Sequence, residues 1–180
     1  MKELSNFLLH PVLFKLSSSF GGGAMVEIEI PGFAKFHFAH LVLDVNGTIA
    51  RDGLLLDGVT ELLAQLQPKL TIHLITADTH GNQEIIDRTL SLKAVRIPAQ
   101  DQAKAKLNYI EGLDADKVIA IGNGANDAAM LERAALGIFV VGPEGSAVEA
   151  MLRADVVVQN ICAALELLIY NKRLIATLRR

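Results

Sequence analysis

The sequence predicts an α/β protein: a mainly parallel sheet wrapped by helices on both faces. Three observations predict it. Short, uninterrupted apolar runs recur along the chain, as strands covered on both faces require. Helically spaced apolar residues fill the intervals, and strands alternating with helices in this way build a parallel sheet. Several of the apolar runs end in polar turns, at the sheet edge where open α/β proteins bind ligands.

Residues 1–24 stand apart. Leu8, Leu9, Val12, Leu13, Phe14 and Leu16 can form a short amphipathic helix, and the stretch 17–23 (SSSFGGG) reads as a flexible linker. A clean strand follows Met25, so residues 1–24 read as an N-terminal extension and 25–180 as the core. The runs 26–30 and 34–38 alternate apolar with polar residues around a Pro31-Gly32 turn, which predicts an antiparallel hairpin at the sheet edge. Residues 41–45 are the central strand. Val59, Leu62, Leu63 and Leu66 form a helical face with Asp57 as N-cap, closed by Pro68. The strand at 70–75 leads to Thr76-Ala77-Asp78-Thr79-His80-Gly81, in which His80 reads as a surface loop histidine. A helix carrying Ile85, Ile86 and Leu90 follows, then a short strand at 94–97 and a helix marked by Ala103, Leu107 and Ile110. The strand at 118–121 enters Gly122-Asn123-Gly124-Ala125-Asn126-Asp127, and a helix carries Ala128, Leu131 and Ala135. Strands at 138–141 and 155–158, helices at 147–152 and 161–169, and a last helix near 174–178 close the chain.

Composition narrows the partners. Of the 180 residues, 51% are hydrophobic, and 17 basic against 20 acidic side chains give a net charge of −3 without a basic block. Nucleic-acid binding finds no support in that balance. The single cysteine, Cys162, has no internal disulfide partner, reads as core filler and fits a reducing cytoplasm. No apolar stretch is long enough to span a bilayer, so no membrane association is expected.

Asp44-Val45-Asn46-Gly47-Thr48 ends the central strand with a carboxylate, an amide, a glycine and a hydroxyl. It resembles motif I of the haloacid dehalogenase (HAD) superfamily, usually D-x-D-G-T, and the D-K-T-G-T motif of the P-type ATPases within it. Leu74-Ile75-Thr76-Ala77-Asp78 resembles motif II and the T-G-D of the ATPases. Lys104 fits the motif III lysine, nineteen positions before Asn123, with Lys106 as the competing candidate. Gly122–Asp127 resembles motif IV, usually G-D-G-x-N-D. Four motifs in order across 41–158 make the resemblance specific.

The resemblance implies a HAD-type Rossmannoid three-layer sandwich and phosphoryl transfer. Asp44 would be the nucleophile that becomes an aspartyl phosphate, Thr76 a phosphoryl hydrogen-bond donor, and Lys104 the neutralising cation. Asp44, Asn46 (through its carbonyl), Asn123 and Asp127 would hold Mg²⁺. Gly47, Thr48, Ala77, Asp78 and Asn126 would surround the phosphate of a phosphorylated substrate. In-line transfer of this kind relies on positioning and charge neutralisation. The intervals between motifs hold only a flap-sized turn, single helices and single strands, so a capless core is expected. Capless members act on large substrates or close the site with a neighbouring subunit, which points to a homo-oligomer. ATP binding is not expected, because the pumps' nucleotide-binding insertion has no room between motifs I and II.

Two positions depart from the family. Asn46 stands where the phosphatases carry a general acid/base, a role worth roughly 10²–10⁴-fold in rate. Asn123 replaces a usual metal-binding carboxylate. Both asparagines precede glycine, the pairing most open to deamidation. Three functional classes follow: a slow Mg²⁺-dependent phosphohydrolase resembling the P-type ATPase phosphorylation domain; a catalytically weak binding or regulatory protein; and a tetrameric capless sugar-phosphate phosphatase.

Overall fold

The computed structural model describes residues 25–78 and 81–180. The extension expected at 1–24 and the loop histidine His80 lie outside the described residues. The chain order is β1 (Val26–Ile30), β2 (Ala34–Phe38), β3 (His40–Asp44), β4 (Ala50–Arg51), β5 (Leu54–Leu55), α1 (Val59–Leu66), β6 (Thr71–Thr76) and α2 (Gln83–Leu90). It continues with β7 (Val95–Arg96), α3 (Gln102–Gly112), β8 (Val118–Gly122), α4 (Ala128–Arg133), β9 (Leu136–Val140), α5 (Val148–Met151), β10 (Val156–Val158), α6 (Ile161–Ile169) and α7 (Asn171–Leu178). Short 3₁₀ turns at Ala115–Lys117 and Ala125–Asp127 precede β8 and α4.

The main sheet has six strands in the order β10-β9-β8-β3-β6-β7, and every neighbouring pair is parallel. Along β3 the side chains alternate between two cores. Leu41 and Leu43 face the side covered by α1, α2, α6 and α7, while Val42 faces the side covered by α3, α4 and α5. This alternation produces the three layers and explains why β3 reads as an unbroken apolar run.

The sequence reading of the first hairpin needs correction. β1 and β2 pair antiparallel as expected, but as a separate two-stranded sheet and not at the edge of the main one. Only Ala39 separates β2 from β3. Its N–H donates to the Lys117 carbonyl at 2.9 Å, and its carbonyl accepts from the Thr71 N–H at 2.9 Å. Those bonds feed the chain into the sheet's centre and leave the hairpin at the strands' N-terminal ends, packed on α7 through buried Val26, Ile28 and Ile30. The lateral edges are instead β7 and β10.

Smaller differences concern helix ends. The residue capping α1 is Gly58, at φ 81, and not Asp57. Ala135 lies past the end of α4, and Cys162 is half-buried against the core with its thiol 3.3 Å from the Asp57 carbonyl. The flap-sized turn is a hairpin of β4 and β5, closed by Asp52 (φ 52) and Gly53 (φ 75). Two successive residues with positive φ suit the tightest strand connections.

The topology places the site. From β3 the chain winds through β6 to β7, then α3 carries it back to β8 on the other side of β3. The winding reverses between β3 and β8, so their C-terminal ends flank a crevice. Such switch points are where doubly wound sheets bind ligands.

Candidate active site

Asp44 ends β3, and its carboxylate meets α3 and the turn that follows β3. Its Oδ1 accepts from Lys106 Nζ on α3 at 2.6 Å, and its Oδ2 from the Thr48 hydroxyl at 2.9 Å. The same ammonium donates to Asp127 Oδ1 at 2.5 Å, so one cation bridges two carboxylates. All three groups are withdrawn from water: Lys106 is 1% exposed, Asp127 0% and Asp44 7%. Asp127 Oδ2 also accepts the backbone N–H groups of Asn123 at 3.0 Å and Gly124 at 2.9 Å.

This geometry corrects the expectation for the lysine. Lys104 is exposed on α3 and takes no part in the site. The buried residues of α3 are Lys106 and Ile110, four apart and therefore on one face. Lys104 precedes Ile110 by six residues and is rotated well away from that face. Counting residues to Asn123 does not measure that rotation.

Burial and then the Asp127 charge push the Asp44 carboxyl up to about 6, against the opposing pull of Lys106 and Thr48. Burial alone would lower the Lys106 ammonium, but the two carboxylates outweigh it and hold its pKa above the usual lysine value. The lysine is therefore fixed as a cation beside Asp44.

Asp44 opens into a pocket of about 260 Å³. Asn46, Thr76, Ala77, Lys106, Asn123 and Asn126 line it with Asp44. Thr76 ends β6 and its hydroxyl oxygen accepts from the Asp78 N–H at 2.9 Å, which leaves its proton to donate. Asn126 donates to Gln102 Oε1 at 2.6 Å. Three expected phosphate contacts stand elsewhere. Gly47 and Thr48 are buried and off the pocket wall, Thr48 on the Asp44 carboxylate and Gly47 against Asn123, and Asp78 accepts from the Gln83 N–H at 3.3 Å with Arg96 at 3.8 Å. A larger depression, about 490 Å³, lies between Glu84, Asp87, Arg88, Lys93 and Arg96 and contains no motif residue.

The structure adds pocket residues that sequence reasoning missed: Gln102, Glu144 and Gly145. Gln102 opens α3, and no signal in the sequence distinguishes it from a surface residue. Glu144 and Gly145 sit in the loop after β9, about a hundred residues from Asp44 in sequence, and only the fold brings them back. Glu144 Oε1 accepts from the Asp52 N–H at 2.7 Å, tying that loop to the flap. Asn123 holds the same loop, donating from Nδ2 to the Gly145 carbonyl at 2.8 Å, while its own carbonyl accepts from the Ala147 N–H at 2.9 Å. The packing is close: a Cβ on Gly142 would stand 2.2 Å from the Gly47 carbonyl oxygen.

The residues present fit a divalent cation of the Mg²⁺ type in part. Asp44, Asn46 and Asn123 offer oxygens to the pocket, and Mg²⁺ commonly binds through one or two carboxylates with water and phosphate completing its shell. Asp127, expected as a ligand, is not on the pocket wall, and its oxygens are engaged by Lys106 and two amides. No group of three or more His, Cys, Asp or Glu able to hold a metal occurs among the described residues.

Comparison with known proteins gives a consistent assignment. A family model described as haloacid dehalogenase-like hydrolase matches residues 99–158. An uncharacterised protein of Methanocaldococcus jannaschii, MJ0073, is 47% identical over 79 residues, spanning 42% of this chain and 85% of its own length. The phospholipid-transporting ATPase NEO1 of Saccharomyces cerevisiae is 34% identical over 97 residues, 52% of this chain but 8% of the ATPase. Among solved structures, the 3-deoxy-D-manno-octulosonate 8-phosphate phosphatase of Moraxella catarrhalis, in complex with magnesium ion, phosphate ion and KDO, has a TM-score of 0.57. That alignment covers 79% of this chain and 94% of the phosphatase at 17% identity, a likeness of fold alone. Among the described residues no helix is long and apolar enough to cross a membrane. The family model spans the lysine helix and the loop after β8, the sheet has the matching architecture, and the motifs meet at its switch point: this chain belongs to the haloacid dehalogenase-like hydrolase superfamily.

Proposed function

We propose that the chain is a phosphohydrolase that works through an aspartyl phosphate on Asp44. The observation that carries this reading is Lys106, buried and bridging Asp44 and Asp127 at the floor of the pocket. A carboxylate attacks phosphorus readily only if its charge and that of the phosphoryl group are offset, and a buried ammonium does both without reorganising. Asp44 forms the new P–O bond as the leaving oxygen departs with its electron pair. Thr76 donates to a phosphoryl oxygen, and Asn126 fixes the pocket's far wall. A bound Mg²⁺, held by Asp44, the Asn46 carbonyl and Asn123, would supply further charge neutralisation.

Asn46 shapes the reaction by what it cannot do. An amide neither protonates the departing oxygen nor activates the water that cleaves the acyl phosphate, so turnover is slow. Substrates whose leaving oxygen is already stable as an anion suffer least from this. The same amide supports a second reading, a catalytically weak binding or regulatory protein that retains the fold.

The test is trapping with BeF₃⁻ and Mg²⁺, read by native mass spectrometry on freshly purified protein. An adduct that is lost in Asp44→Asn is the expected result. Absence of any adduct at millimolar Mg²⁺ would refute the phosphoryl-transfer reading in favour of the binding one.

A further inference from the structure

We infer that this site takes up its divalent cation together with the phosphoryl group and holds it only weakly beforehand, because Asn123 is committed to positioning the loop after β9. The inference rests on the phosphohydrolase reading and follows from the oxygens available.

Asp127 is closed to a cation: it is fully buried, with Oδ1 on Lys106 and Oδ2 on two backbone N–H groups. Asp44 is the remaining carboxylate among the residues expected to hold the metal, and Lys106 already offsets part of its charge at 2.6 Å. Asn123 offers a neutral oxygen where a carboxylate would add a full negative charge.

The amide at 123 performs a task a carboxylate cannot. Its Nδ2 donates to the Gly145 carbonyl at 2.8 Å while its Oδ1 accepts from Thr48 at 2.9 Å. An ionised aspartate has no proton for Gly145 and would face a carbonyl oxygen with a negative charge. Asn123 thus holds the loop that places Glu144 and Gly145 on the pocket wall, at the expense of cation affinity. Thr48 completes the arrangement. Its hydroxyl has one proton and two acceptors at 2.9 Å, Asp44 Oδ2 and Asn123 Oδ1, so it satisfies one and leaves the other open toward an incoming ion.

Asp44 and Asp127 against Lys106 leave the cluster with a single net negative charge, and Glu144, the further carboxylate on the pocket wall, is turned to the flap, where its Oε1 accepts from the Asp52 N–H at 2.7 Å. That is a poor inducement for a strongly hydrated dication to shed water. A bound phosphate supplies the missing charge and further oxygens. Linkage then requires each to tighten the other by the same factor.

The experiment is calorimetric titration of Mg²⁺ into the full chain, alone and with saturating inorganic phosphate. We expect the Mg²⁺ dissociation constant to fall by about tenfold or more when phosphate is present, within the usual range of such couplings. Asn123→Asp should tighten Mg²⁺ binding to the phosphate-free protein by a similar factor and weaken the coupling, with folding checked by far-UV circular dichroism. If that variant does not fold, the wild-type pair of titrations still decides. Mg²⁺ that binds equally with and without phosphate overturns the inference. Phosphate that binds at no Mg²⁺ concentration removes the phosphoryl site itself, and the inference with it.

Discussion

Replacing Lys106 with methionine should destabilise the protein severely, whereas Lys104→Met should leave it nearly unchanged. Methionine keeps most of the side-chain volume and removes the charge. Asp44 and Asp127, 7% and 0% exposed, then lose the cation that contacts them at 2.6 and 2.5 Å. Breaking a buried ion pair by deleting one partner costs about 3–5 kcal/mol, because the charge left behind stays buried. For a domain of this size that lowers Tm by roughly 6–20 °C. The exposed Lys104 should cost no more than about 0.5 kcal/mol. The deficit should also depend on pH. In the wild type the folded Asp44 carboxyl is raised to about 6 from its ordinary value of 3.8, so between these values the native state binds more protons at this group and its contribution to stability falls as pH rises. Without Lys106 that pKa rises further, so the deficit of Lys106→Met should shrink as the buffer is acidified from neutral. The sequence contains no tryptophan, so urea unfolding followed by far-UV circular dichroism is the suitable assay. A Lys106→Met deficit below about 1 kcal/mol at neutral pH, or an equal deficit in Lys104→Met, would refute the assignment of the cation.

Other outcomes follow from the same structure. Asn46→Asp restores a carboxylate and should speed enzyme phosphorylation by alkyl phosphates in single turnovers by roughly 10²–10⁴-fold, with a much smaller gain on p-nitrophenyl phosphate; equal gains on both in that step would show that leaving-group protonation is not what Asn46 lacks. His73 sits between His40 (3.1 Å) and the Tyr109 hydroxyl (2.9 Å), and burial, then His40, hold its pKa down to about 4. At this group the unfolded chain takes up the extra proton as pH falls from 6.5 toward 4, so the contribution of His73 to stability declines through that window by roughly 1–2 kcal/mol after allowance for partial exposure, opposite in sign to that of Asp44. The difference in urea midpoint between wild type and His73→Phe should narrow across that range, and a constant difference would count against it. Both Asn-Gly pairs should resist deamidation, since the attacking nitrogens are engaged: Gly47 N–H donates to the Ala50 carbonyl at 2.8 Å and Gly124 N–H to Asp127 at 2.9 Å. Intact mass after prolonged mildly alkaline storage should not change, and a gain at either pair would show that those bonds open.

The layer architecture, the carboxylate at the end of β3 and the four segments that meet around it were legible in the amino-acid sequence. These are matters of local pattern. A fully apolar strand must be covered on both faces, and a polar turn after it lies at the sheet's C-terminal edge, so Asp44, Thr76 and Asn123 could be placed without coordinates. The departures at Asn46 and Asn123 were also legible, because they are identities at motif positions. The remaining features depend on long-range packing. Lys106 prevails over Lys104 because the azimuth of α3 is set by Ile110 packing beneath the sheet, and an ion pair makes burial of a lysine tolerable that apolar periodicity would never propose. The β1–β2 hairpin leaves the sheet edge because Ala39 hydrogen-bonds two neighbours at once and draws the chain inward. Glu144 and Gly145 reach the pocket through bonds from Asp52 and Asn123 that join residues 92 and 22 positions apart. Contacts of that range depend on how β8, β9 and the flap stack, and no local window of sequence contains them.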